Sequence, residues 1–269
     1  MRTAIRRTVL TASAVTLALA VTACGGGDQD GGDGGDTRAK AGGGSDKPAA
    51  KALTAGELEK LVVSADDLKD HQVEKPAKDD VPEPGTLTVE QAECEPVARV
   101  LSALPVGTPA ASTQRLVVQE SAAAKKGMPS MEELAGMTEE EAKEATIDSL
   151  DITKTMTSLW SYDADGAERT LGTLREAGKK CAGGFGMSVG GEKQQVTKVG
   201  EEKLAVGEDA VAWTVGTQMD GEPVETKVVV LRQGTTLAGF SSFNIAAVSR
   251  GESFEQPTAV IDAQAAKLG

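Results

Sequence analysis

The chain has 269 residues, 39% of them hydrophobic and 26% charged, with a formal net charge of −13 and only 3% aromatic residues. Hydrophobic content of that order suits a globular protein. The excess of acid repels nucleic-acid phosphates and the scarcity of aromatics leaves few stacking platforms, so nucleic acid is excluded as a partner.

Residues 2–7 carry Arg2, Arg6 and Arg7 and no acid. Residues 9–21 are apolar, too short to span a bilayer as a helix, which takes about 20 residues, but suited to the core of a signal peptide. The run ends in Val21-Thr22-Ala23-Cys24. This resembles a bacterial lipobox, and the resemblance implies transfer of a diacylglyceryl group to the Cys24 sulfur with cleavage before it. Residues 1–23 are therefore read as a signal peptide, and their loss takes the formal charge from −13 to −16. Acyl chains on Cys24 would hold a domain stably on the extracytoplasmic face of the cell membrane. The membrane is thus the first partner expected.

Residues 25–50 contain ten Gly and five Asp and no large apolar side chain. Such a segment cannot offset its ordering entropy, and residues 24–52 are read as a flexible tether with a reach of about 25–30 Å. Within it, Gly31-Gly32-Asp33-Gly34-Gly35-Asp36 fits one copy of a calcium-binding repeat that works only in tandem. No metal is expected there.

Residues 53–269 suit one domain. Thr54 and Glu57 form a capping box for a short helix with Leu58, Leu61 and Val62 on one side. A second helix is expected from Pro96, with Val97, Val100, Leu101 and Leu104 as its stripe and Pro105 as its stop. A strand is expected over residues 113–121. Another is expected over 146–160, burying Leu150, Ile152, Met156 and Trp160 and exposing Ser149, Asp151, Thr153, Thr155 and Thr157. Between them, residues 127–145 form a Met- and Glu-rich insertion, read as a flap with a short helix or as a docking surface.

The clearest helix is expected from Asp165 to Cys181, with Ala167, Leu171 and Leu174 inward, Lys179 and Lys180 in the last turn, and Gly183-Gly184 beyond. Four antiparallel strands follow, over residues 193–199, 210–219, 224–232 and 236–245, joined at Asp220-Gly221 and Gln233-Gly234. Pro257 opens a last helix carrying Ile261, Ala265 and Leu268. The pattern reads as α+β, a curved antiparallel sheet with helices packed against it.

Apart from Cys24, the thiols are Cys94 and Cys181. In an oxidising compartment a disulfide between them is expected, closing a loop worth about 4–5 kcal/mol on the chain-entropy view. Two buried free thiols or half of a metal site are the alternatives, the latter disfavoured because His71 is the only histidine.

Several segments together resemble the extracytoplasmic sensor domain of actinobacterial PknH-type serine/threonine kinases and related lipoproteins. They are Leu53-Thr54-Ala55-Gly56-Glu57-Leu58, Glu93-Cys94-Glu95-Pro96, Cys181 before Gly183-Gly184-Phe185, the Val211 to Phe243 meander, and Pro257 with Gln264-Ala265. The resemblance covers most of residues 53–269 and implies an α+β fold with a cleft beside the sheet for an unidentified ligand. The chain departs from that family in having one disulfide pair rather than two and no attached kinase.

Catalytic signals are weak. Gly186-Met187-Ser188-Val189-Gly190 matches the nucleophile-elbow pattern, but it follows a helix and no histidine comes after it. His71 is read as an exposed loop residue, Glu139-Glu140-Glu141 as a solvated helix start, and Trp160 and Trp213 as core. No cofactor motif occurs. The expectation is a non-enzymatic ligand-binding or sensing lipoprotein, with docking onto an envelope protein as the alternative and hydrolysis as a remote one.

Overall fold

The computed structural model describes residues 50–269 apart from Asp220. Cys24 and everything expected of residues 1–49 lie outside the described residues. In chain order the elements are α1 (Ala55–Leu61), β1 (His71–Glu74), β2 (Leu87–Val89), α2 (Glu95–Leu101), β3 (Ala111–Glu120), α3 (Met131–Ala135), α4 (Glu139–Asp148) and β4 (Ile152–Ser161). They continue with α5 (Gly166–Lys180), β5 (Phe185–Val189), β6 (Glu192–Glu202), β7 (Asp209–Met219), β8 (Glu222–Gln233), β9 (Thr236–Asn244), α6 (Ile245–Arg250) and α7 (Thr258–Leu268).

All nine strands join one open antiparallel sheet in the order β1-β3-β4-β9-β8-β7-β6-β5-β2. The fold is α+β. Strands β5 to β9 form a meander of consecutive hairpins, and a register shift between Val196 and Lys198 in β6 adds local bend.

Alternation along the strands sorts the core into two layers. One face presents Trp160, Trp213, Val215, Val228, Val230 and Leu237 to α2 and α5. The other presents Leu159, Ala212, Val229, Leu231 and Phe240 to the helices at the two ends of the domain, α1 and α7. Those two helices are joined by Gln264, fully buried, whose amide accepts from Val63 N at 3.0 Å and donates to Leu61 O at 2.9 Å.

Local sequence explains the helix starts. Thr54 and Glu57 cap α1 reciprocally, and Ser130 with Glu133 and Thr138 with Glu141 do the same for α3 and α4. In each case hydrogen bonds from the cap residue hold the glutamate carboxyl below its usual range.

Four expectations are corrected. Strand β4 begins at Ile152 rather than 146, because residues 146–148 complete α4. Its supposedly open face is closed, with Thr155 and Thr157 buried on the side that α1 and α7 cover. Helix α2 ends at Leu101, where Ala103 turns left-handed (φ 56°), so Leu104 is buried outside the helix. The domain body also starts earlier than residue 53: Ala50 O accepts from Ala164 N at 2.7 Å, and Ala52 N donates to Asp163 at 3.0 Å.

Candidate functional site

The expected Cys94–Cys181 disulfide is present, with the two Cα atoms 5.8 Å apart. It fastens the start of α2 to the end of α5. Further along, the Gln114 side chain donates to Ala103 O at 2.7 Å, and Tyr162 Oη donates to Val106 O at 2.8 Å. The segment from α2 to Val106 is therefore pinned to the sheet along its length.

Helices α2 and α5 cover only part of their face. Toward the start of β4 and the end of β9 the same face is left open between the end of α2, at Leu101, and α6, at Ile245 and Val248, and it encloses a cleft of about 590 Å³. That volume lies within the usual range for small-molecule sites. The floor crosses seven strands, from Leu116 on β3 through Met156, Ser241, Thr226 and Thr217 to Gln194 on β6 and Val189 on β5. The lining residues follow one another from strand to strand, so the cleft is a trough running across the strands.

The floor is less polar than its composition. Ser241 Oγ donates to Leu101 O at 2.8 Å, and Thr217 Oγ1 donates to Val224 O at 3.2 Å. Those two hydroxyls are occupied by backbone carbonyls. At the mouth stand Met219 and Phe243, 40% and 39% exposed. Outside the insertion these are the large apolar side chains left exposed among the described residues.

The wall formed by α6 is held from behind by the insertion. Asn244 caps α6 through Ala247 N at 2.8 Å, while its amide donates to Asp151 at 2.8 Å and Thr153 at 3.0 Å. Arg250, at the end of α6, pairs with Glu144 at 2.5 Å and Asp148 at 2.7 Å, both on α4. Residues 139–148 are thus a strut behind the cleft, whereas Met128 and Met131 of the same insertion are 64% and 83% exposed.

Charge on the far face serves cohesion. Lys227 lies buried between Glu202 at 3.0 Å and Glu225 at 3.2 Å, on the side of the sheet opposite the cleft. Burial pushes the Glu202 carboxyl up, but hydrogen bonds from Thr214, Gln256 and Lys227 outweigh it and leave Glu202 below its usual range.

The residues weighed for catalysis are not brought together. His71 is not in an exposed loop: it opens edge strand β1, its Nδ1 2.6 Å from Lys69 O and its Nε2 buried without a partner. Ser188 sits inside β5, paired with Thr88 and Lys193 and seven strand positions from β1 in the sheet order. Trp160 and Trp213 are buried in the core and do not line the cleft. Among the described residues no three His, Cys, Asp or Glu side chains are grouped to hold a metal. The cleft itself has no sequence motif; its floor is made of ordinary strand residues, and only the unexplained Phe243 and Met219 on otherwise regular alternation could have hinted at it.

No family model matches the chain, and no curated protein matches it. Among solved structures it is similar to the extracellular domain of PknH from Mycobacterium tuberculosis, at 12% identity and a TM-score of 0.47, over 81% of this chain and 95% of that one. A likeness at that level carries no assignment of family, ligand or location.

Proposed function

We propose that the chain is an extracytoplasmic, lipid-anchored binding module whose trough holds an elongated, mainly apolar ligand for sensing or carriage, without catalysing a reaction on it. The observation that carries this is the trough itself: a groove crossing seven strands, with the Ser241 and Thr217 hydroxyls on its floor taken up by backbone carbonyls and Phe243 and Met219 exposed at its mouth. Apolar side chains exposed around a concavity cost free energy that a bound apolar chain recovers. The address rests on the sequence, through Arg2, Arg6, Arg7, the apolar residues 9–21 and Val21-Thr22-Ala23-Cys24.

A second reading, docking onto an envelope protein, is favoured by the exposure of Met128 and Met131. Native mass spectrometry of the chain purified from its own membranes separates the two. Binding predicts a polypeptide beginning at acylated Cys24 with an added amphiphile that dissociates on activation. An empty domain that co-purifies with a stoichiometric protein would favour docking instead, and a chain without acyl groups would remove the anchor.

A further inference from the structure

Resting on the reading of the trough as an apolar binding site, we infer that its ligand is a single-chain anionic amphiphile whose headgroup sits on Lys154. Among the described residues Lys154 is the one basic side chain lining the cleft. It is half-buried on β4, directly paired with Val118 on one side and Phe243 on the other, and Met156 follows it on the same face. Its neighbours on that face are therefore apolar. Among the described residues it makes no ion pair or side-chain hydrogen bond, although the chain carries 41 acidic residues against 28 basic ones. Glu120, on the same face of β3, is one diagonal position away in the register and does not pair with it.

The contrast with other cations is informative. Lys227 and Lys267 each hold a carboxylate within hydrogen-bonding distance, at 3.0 and 2.7 Å. Asp79 and Asp80 line the cleft from the loop before β2, but the Asp80 carboxylate accepts from Ala77 N at 2.6 Å and neither acid pairs with Lys154. Lys154 also lies toward one end of the trough, on the second of the seven strands that floor it. An anionic head at that point lets a chain run away from it along Ser241, Thr226 and Thr217 toward Gln194. There the head meets an ammonium that no carboxylate of the described residues pairs with, beside the exposed Phe243 ring, and gains a charge-assisted hydrogen bond.

Calorimetric titration of the full chain carrying Cys24→Ser tests this, with titrants of one chain length held below their critical micelle concentrations. Dodecanoate and dodecyl phosphate should each bind about tenfold more tightly than 1-dodecanol, and dodecyltrimethylammonium more weakly than the alcohol. Which of the two anions binds better identifies the headgroup source as free acid or phosphate ester. Lys154→Met should abolish the preference for the anions over 1-dodecanol, while Lys154→Arg should keep it. Equal affinity for acid and alcohol, an anion preference that survives Lys154→Met, or tightest binding of the ammonium would overturn the headgroup assignment while leaving the trough intact. Failure of every titrant, the alcohol included, would instead overturn the trough reading, and the headgroup with it.

Discussion

Replacing Cys94 or Cys181 with serine is expected to lower the thermal midpoint by about 10–18 °C, following the loss of about 4–5 kcal/mol. The loop it opens is 87 residues long, and it contains α2, β3, the insertion, β4 and α5. Helix α2 has seven residues, too few to persist without tertiary support. Its support is the stripe Val97, Ala98 and Val100 beneath α5, and the sulfur bridge that sets the separation of the two helices. Because Leu101 at the end of α2 is a wall of the cleft, the serine variants should lose ligand binding at temperatures where the rest of the sheet is still folded. Circular dichroism of the oxidised protein and of each variant checks the midpoint. A shift of only a degree or two would mean that packing alone holds α2.

Gly178→Ala and Gly239→Ala should each destabilise the domain, by about 1–3 kcal/mol. On intrinsic grounds the first should do the opposite, since alanine in a helix interior is favoured over glycine by about 1 kcal/mol. The sign reverses because a Cβ at Gly178 would stand 2.7 Å from the Trp213 ring, and one at Gly239 would stand 2.5 Å from the Trp160 ring. Both indoles are buried and large, so neither can swing aside. Each glycine is the space its tryptophan occupies. Urea midpoints measure the effect. In a Trp213→Phe background the Gly178→Ala penalty should shrink, and an undiminished penalty there would point to the helix backbone rather than the ring.

These pairs also mark where sequence reasoning stops. The long helix α5 was legible from Ala167, Leu171 and Leu174 and from Lys179 and Lys180 at its end, and the meander from the alternation of Val211, Trp213 and Val215. In such elements the signal is local, because periodicity and caps act over a few residues. What Gly178 is for was not legible, since the ring that requires it lies on β7, across the interface. The burial of Thr155 and Thr157 was hidden for the same reason. Threonines on alternate positions read as a solvent face, and the helices that cover them come from the two ends of the domain, tied by Gln264 to Leu61 and Val63. Strands β1 and β2, of four and three residues, are too short to show a period.

The cleft was the least legible feature. A resemblance implied one, but its floor is drawn from seven strands at positions occupied by Thr, Ser, Val and Met. Each residue is unremarkable alone. Only the register places Met156 beside Ser241 and Thr217 beside Val224. The insertion was read as flap or docking surface, and α4 instead braces α6 through Arg250, while Met128 and Met131 remain exposed on the rest of it.

The central claim is that this trough is where an apolar ligand lies, and filling it is the most direct test. Val224 lines the cleft from β8 and is half-buried, so Val224→Trp should place an indole along the floor without opening the core. Titration with a neutral fluorescent probe such as N-phenyl-1-naphthylamine should show saturable binding to the parent chain and at least a tenfold loss in the variant, at an unchanged thermal midpoint. Undiminished probe binding to a folded Val224→Trp protein would contradict the account.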